Sequence, residues 1–282
     1  MASDATAPTV PPVRSLIGVI AEQRFLSSSM IRIDLDLEGD ASYAPGQFCM
    51  INLVGGAALS LSRPLSILAA NGTRLSLLYK IVGVGTRLLA DALPGRKVRV
   101  LTPLGTPFPA RNNERPRLLL AGGVGLPPLV SWAQRYGDPA DLFCFGARDG
   151  ADAPWELLPS PWHVSVDRSR EIPDGREAHR GTVLDLALDC LTGRTETFEV
   201  LACGPRPLLQ AAAEFAHQRG WLCHVSVEER MGCGYGVCRG CVVPTIGDIG
   251  WRLACQDGPV LPAADLDWKS FGMAPASEEG SR

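Results

Sequence analysis

Four of the nine cysteines crowd into one stretch: Cys233, Cys238 and Cys241, spaced Cys-x4-Cys-x2-Cys, and then Cys255 after thirteen further residues. At this spacing four thiolates hold two irons and two sulfides, a 2Fe-2S cluster. Three ligands on one loop need a backbone that wraps closely. Gly232, Gly234, Gly236 and Gly240 supply residues without a Cβ that tolerate positive φ, so that amides can turn toward the sulfurs. A structural zinc also takes four cysteines, but zinc ribbons favour two Cys-x2-Cys knuckles, and only Cys238 and Cys241 form one. Disulfides need an oxidising compartment, and Met1 to Pro12 have neither the cationic start nor the apolar core of a secretory signal. The cluster is the expectation, with zinc and disulfides as the competing readings.

Two further groups of residues can hold phosphates. Arg63-Pro64-Leu65-Ser66 is followed by Leu78-Tyr79-Lys80 and then by Gly83-Val84-Gly85-Thr86. An Arg at a strand end offers a bidentate fork, and a Gly-Thr step opening a helix expected at Arg87–Ala92 offers amides and a hydroxyl; together they can clamp a pyrophosphate. Singly, each piece is equally a solvated strand end or a helix cap. Tyr79 can stack on a ring or fill a core. The second group is Gly122-Gly123-Val124-Gly125, entered from the apolar run Arg117–Ala121 and followed by a helix beginning Leu126-Pro127-Pro128. A buried strand, a glycine turn and a helix with Pro in its first turn make a phosphate site at the end of an open α/β sheet. Cys203-Gly204-Pro205 closes a later strand: at minimum a small buried residue and a strand-to-helix turn, and by the strand-end rule a ligand position.

The elements that must carry these groups fall into distinct blocks. Short apolar runs at Ser15–Ala21, Met30–Leu37, Gln47–Leu53, Arg63–Ala69, Leu75–Ile81 and Lys97–Leu104, broken by Gly, Pro and Asn, predict a small antiparallel barrel. In the second run Ile31, Ile33, Leu35 and Leu37 alternate with Arg32, Asp34 and Asp36, which predicts one buried and one wet face. Beyond Pro116, strands at Arg117–Ala121, Asp141–Phe145, Trp162–Val166 and Thr197–Leu201 alternate with helices at Leu126–Ala133, Thr182–Leu188 and Arg206–Arg219, which predicts a doubly wound, mainly parallel sheet. The expected organisation is a disordered tail at 1–12, a barrel at 13–110, a nucleotide-binding α/β domain at 111–224, a cluster module at 225–262 and a C-terminal tail at 263–282. Cys49, Cys144, Cys190 and Cys223 lie within apolar patterns and read as core residues. His163, His179, His217 and His224 show no metal spacing. A net charge of −3 with no basic cluster excludes a nucleic-acid binder, and no apolar run is long enough to span a membrane. Free thiols without an export signal point to the cytoplasm.

The order of these pieces resembles the ferredoxin-NADP reductase superfamily, and within it the electron-transfer subunits of type B dihydroorotate dehydrogenases. The latter carry a loop like Glu228-Glu229-Arg230-Met231-Gly232-Cys233 and a closing run like Cys255-Gln256-Asp257-Gly258-Pro259-Val260. The resemblance spans about Val13 to Leu261. It implies that the barrel binds FAD, with Arg63 on the pyrophosphate, Leu65 against the flavin ring where many relatives have Tyr, and Ser66 near the reactive nitrogen. It also implies that Cys203, Gly204 and Pro205 lie where hydride passes, and that Cys233, Cys238, Cys241 and Cys255 bind a 2Fe-2S cluster. The partner implied is a separate FMN-containing dihydroorotate dehydrogenase catalytic subunit of pyrimidine biosynthesis, held in a hetero-oligomer through a face near Tyr235, Arg239 and Trp251. Related subunits serve sulfide dehydrogenases, hydrogenases or ferredoxin:NADP oxidoreductases, and a non-redox zinc module is the reading of another class. NAD(H) is expected over NADP(H): Asp167 suits a free ribose, although Arg168-Ser169-Arg170 can grip a 2′-phosphate.

Overall fold

A computed structural model describes residues 12–55, 61–168, 172–173 and 175–271. The first block is a six-stranded barrel made of β1 (Arg14–Phe25), β2 (Met30–Leu37), β3 (Phe48–Leu53), β4 (Arg63–Asn71), β5 (Arg74–Lys80) and β6 (Lys97–Leu104). The short helix α1 (Val84–Ala90) lies between β5 and β6. All pairings are antiparallel, in the order β1-β2-β5-β4-β3-β6, and β6 closes back onto β1. Closure leaves no free edge, and Ile20, Ile33, Leu35, Ile51, Ile67, Leu77 and Val98 fill the interior. The alternation expected of β2 fails at one position. Asp34 is only 5% exposed, because its carboxylate takes the Ser76 hydroxyl and pairs with Arg32 at 3.1 Å.

The second block is a seven-stranded sheet. Its elements are β7 (Arg117–Gly122), α2 (Leu126–Tyr136), β8 (Leu142–Asp149), β9 (Trp162–Arg168), β10 (His179–Arg180), α3 (Val183–Cys190), β11 (Glu199–Cys203), α4 (Arg206–Gln218) and β12 (Leu222–Ser226). The order is β10-β9-β8-β7-β11-β12, all parallel, so the direction of winding reverses between β7 and β11. Alternation along the strands sorts the two faces. Leu119, Ala121, Phe143, Phe145 and Leu201 meet α2 and the barrel residues Met30, Leu68 and Phe108. Leu118, Leu120, Cys144, Val200 and Ala202 meet α3 and α4.

The third block carries the hairpin β13 (Val242–Pro244) and β14 (Trp251–Leu253), then β15 (Val260–Pro262). β15 is the seventh strand of the nucleotide sheet, antiparallel to β12, with Val225 opposite Leu261. The same segment is tied to the barrel: Thr106 N donates to the Gly258 carbonyl at 2.6 Å and the Thr106 hydroxyl to that of Val260 at 2.9 Å. Residues 263–271, expected as part of a tail, instead belong to the core. Ala263, Leu266 and Phe271 are buried there, and the Trp268 indole donates to the Ala263 carbonyl at 3.0 Å.

Candidate functional site

A cleft of about 450 Å³ opens between the barrel and the C-terminal ends of β7 and β11. Its barrel wall is Arg63, Pro64, Leu65 and Ser66 from β4 with Leu78, Tyr79 and Lys80 from β5. Opposite stand Gly125, Cys203 and Gly204, and Thr86 of α1 closes one side. Residues expected from three separate stretches therefore meet at the reversal point of the sheet, where an open α/β fold binds its ligand.

The helix meant to hold phosphate starts three residues earlier than expected, at Val84. Gly85 and Thr86 are therefore inside its first turn. The Thr86 hydroxyl accepts from Val82 N at 2.9 Å and Gly83 N at 3.2 Å and donates to the Gly83 carbonyl, so it caps the helix. Gly85 does not line the cleft. It is the floor on which the Arg63 guanidinium rests, and any Cβ there would overlap that group. Arg63 also donates to the Leu61 carbonyl at 2.5 Å, which holds the fork at the cleft mouth. Tyr79 joins the barrel core and its hydroxyl donates to Gln23 at 2.8 Å, so the core reading describes it, with the ring contributing to the cleft wall.

The glycines of the β7 turn have separate tasks. Gly123 has φ 54 and brings the backbone beside the Lys80 ammonium. Burial lowers the Lys80 pKa, and Asp152 opposes the shift. Gly122 admits Pro205 and Leu208, and Gly125 lies so close to the Cys203 carbonyl that a Cβ would overlap it. Gly122, Gly123 and Pro205 stand behind the cleft rather than in its wall. Burial pushes the Cys203 thiol up to about 12 against the opposing hydrogen bond of Ser226, so at neutral pH it is a neutral, compact wall rather than a nucleophile. Ser226, the register partner of Cys203 on β12, and Glu228 and Glu229 beyond it also line the cleft. None of the three is among the expected site residues. The strand-end rule that selects Cys203 applies equally to the next strand, whereas in the sequence Glu228-Glu229 stands only as the lead-in to the cysteines. Burial raises the Glu229 pKa, and Arg206 opposes the shift.

The four expected thiols gather in two pairs. Cys233 and Cys238 interact at the outer side, one partly and one fully exposed, and Cys241 and Cys255 interact in the buried side. One outer and one inner pair of thiols suit the two irons of a 2Fe-2S cluster. Backbone amides are already aimed at sulfur: Gly236 N to Cys255 at 3.1 Å, Cys238 N to Cys233 at 3.4 Å and Cys255 N to Cys241 at 3.4 Å. Burial raises the Cys233 pKa, but the amides of Cys238, Tyr235 and Val237 outweigh it and bring the thiol to about 6. Burial, then Cys241, push Cys255 up to about 12. Of the four glycines, Gly234 and Gly236 have positive φ, 87 and 88. The third left-handed position is Arg239 at φ 52. Gly232 has no such angle and serves space instead, since a Cβ there would stand 3.3 Å from the Cys238 sulfur.

A second pocket, about 250 Å³, lies between the cleft and the cysteine loop, lined by Met50, Arg99, Cys233 and Tyr235. Leu61 and Ser62 border both cavities. Around the outer thiols Tyr235, Val237, Ile246, Ile249 and Trp251 are exposed, and Arg239 lies 5.8 Å over the Trp251 ring. Of the turn expected to read the ribose, Asp167 and Arg168 are exposed at the end of β9, and 169–171 lie outside the described residues.

Residues 228–267 match the family model for the iron-sulfur cluster binding domain of dihydroorotate dehydrogenase B. The chain is 34% identical over 230 residues to the dihydroorotate dehydrogenase B (NAD(+)) electron transfer subunit of Bacillus velezensis, covering 79% of this chain and 86% of the relative. The subunit of the same description from Listeria innocua is 30% identical, with 88% and 96% covered. Among solved structures, that of an NADH-dependent reduced ferredoxin-NADP oxidoreductase superposes with a TM-score of 0.74 at 23% identity, covering 90% of this chain and 91% of the other.

Proposed function

We infer the function from membership: the chain belongs to the family of dihydroorotate dehydrogenase B (NAD(+)) electron transfer subunits, and it carries electrons between NAD(H) and a catalytic subunit by way of FAD and a 2Fe-2S cluster. The observation that carries this reading is the sequence of cavities. The cleft has the nucleotide turn on one side and the barrel strand on the other, and among the described residues Leu61 and Ser62 border both it and the pocket that reaches Cys233.

Bound FAD and cluster supply the exchange of a two-electron hydride for single electrons. The residues of the chain bind, orient and insulate. Arg63, resting over Gly85, would hold the pyrophosphate with its fork, and Leu65 would cover the ring by contact alone, since it has no π face. Ser66 and Cys203 line the cleft from the two domains and would flank the bound flavin, where the neutral thiol would add no charge. Val124 and Gly125, the part of the β7 turn that lines the cleft, would receive the nicotinamide dinucleotide phosphates. The amides of Gly236, Cys238 and Cys255 stabilise charge on the ligating sulfurs. The exposed apolar and Arg residues around Cys238 are the face on which the FMN-containing subunit sits, aromatic residues and Arg being favoured in such contacts. Among the described residues no helix is long and apolar enough to cross a membrane, and the proposed place of work is the cytoplasm. NADH is the proposed donor, with Asp167 on the ribose.

The test combines visible spectra with rapid reduction. The protein shows flavin and cluster bands and is reduced by NADH in preference to NADPH. Cys255→Ser loses the cluster signal and transfer to the catalytic subunit while NADH still reduces the flavin. An iron-depleted preparation that reduced the catalytic subunit normally would refute the route. An NADPH preference abolished by Arg168→Ala and Arg170→Ala would overturn the choice of donor.

A further inference from the structure

Two cysteines that electron transfer does not use lie together on the α3–α4 face of the nucleotide sheet, away from the cleft. Cys144 is in the middle of β8 and has no exposed surface. Cys190 is the last residue of α3, which packs across β7, β8 and β9, and it is only partly covered. The two thiols hydrogen-bond to each other and sit in one cluster with Leu142, Val183 and Leu186. Their unequal burial gives them unequal roles. The bond to Cys190 and burial both keep the proton on Cys144, raising it well above the usual thiol range. Contact with Cys144 holds Cys190 below that range, against partial burial and the neighbouring Asp189. A reachable thiol beside a buried second thiol is how a peroxide-reactive cysteine and its resolving partner are arranged. The other thiols outside the cysteine loop lack this combination: Cys49 and Cys203 are buried and raised by burial, and burial pushes Cys223 up to about 12.

We propose that Cys190 and Cys144 form a reversible oxidation site, in which the Cys190 sulfur attacks a hydroperoxide and Cys144 then closes a disulfide from the end of α3 to β8. In the first step the Cys190 sulfur bonds to one peroxide oxygen, the O–O bond breaks, and the departing oxygen takes a proton to leave as water or an alcohol. In the second, the Cys144 sulfur attacks the sulfenic sulfur, the S–O bond breaks, and hydroxide leaves as water with the Cys144 proton. Two thiols are oxidised by two electrons in all, and one peroxide is reduced. The link lies on the sheet face opposite α2 and the barrel, so flavin reduction by nucleotide continues while the domain resists unfolding more strongly.

The experiment treats the protein, with flavin and cluster in place, with hydrogen peroxide and maps its thiols by differential alkylation. The expected product is one peptide pair joined through Cys144 and Cys190, reversed by dithiothreitol and accompanied by a higher Tm. Cys144→Ser halts at a sulfenic acid on Cys190 that dimedone traps, and Cys190→Ser leaves Cys144 reduced. A Cys190 that reacts no faster than Cys223, or a Cys190 sulfenic acid that persists in the unaltered chain without linking to Cys144, overturns the assignment.

Discussion

Replacing Gly85 by Ala separates a phosphate-binding role for Arg63 from a merely structural one. The new methyl overlaps the Arg63 guanidinium, whose atoms are its three nearest neighbours, and that group is the far end of a flexible side chain. The helix therefore survives and the fork is displaced. A charge-assisted hydrogen bond contributes about 2 kcal/mol, so losing the aligned fork weakens flavin binding about 30-fold. Ala also replaces Gly within a helix, which favours folding by up to about 1 kcal/mol, so the Tm of the flavin-free protein does not fall. Arg63→Ala loses a similar amount of affinity. Because both changes remove one interaction, the double variant is scarcely weaker than either single one. Flavin affinity measured by fluorescence on dilution, with thermal unfolding alongside, completes the cycle. If the two losses added in full, or if Gly85→Ala bound flavin normally, the pyrophosphate site would have to lie elsewhere.

Gly125→Ala is the contrasting case. Its methyl meets the Cys203 carbonyl and Gly204 N, which are backbone and cannot swing aside, so the turns after β7 and β11 are forced apart at a cost of about 1–3 kcal/mol. Both Tm and NADH affinity fall, and an unchanged Tm would contradict the packing argument. At the opposite end of the sheet, buried Arg117 pairs with Glu199 at 2.9 Å, and His224 stands 3.4 Å from the same carboxylate. The adjacent His224 imidazole, and then Arg117, hold the Glu199 carboxyl below its ordinary 4.5 despite burial. A depressed folded-state pKa gives stability that is present above pH 4.5 and lost as pH falls through the folded value. Glu199→Gln should therefore cost about 3 kcal/mol at neutral pH, leaving a buried guanidinium unpaired, and flatten the acid limb of urea midpoints against pH. An acid limb as steep as that of the unaltered chain would locate the responsible carboxylate elsewhere.

Much of the site was legible because its chemistry depends on order along the chain. Cys spacing, Arg63 ahead of the Gly-Thr step, and the glycine turn after an apolar strand each specify local geometry, and the parallel sheet brings strand ends together. What stayed hidden depends on neighbours remote in sequence. Asp34 follows an outward rhythm, yet Ser76 and Arg32 let it be buried. Gly85 reads as an amide donor, and only the placement of Arg63 reveals it as a floor. Residues 263–271 carry no periodicity, and their burial comes from a surface that α4 and the cysteine module build together.

The pairing of β15 with β12 means that the cysteine module is not a detachable cassette. A chain stopped after Ser226 would present β12 as a bare edge, with its unpaired amides and carbonyls open to another molecule, and would invite aggregation rather than yield a tidy reductase. Conversely, a graft of residues 228–255 alone would carry all four thiols but leave behind the strand that anchors them to both neighbouring domains. Any exchange of this module between proteins has to move the seam as well as the cargo. During synthesis the nucleotide sheet is complete only once residue 262 has emerged, so the fourth thiol, Cys255, is in place before the sheet around it can close.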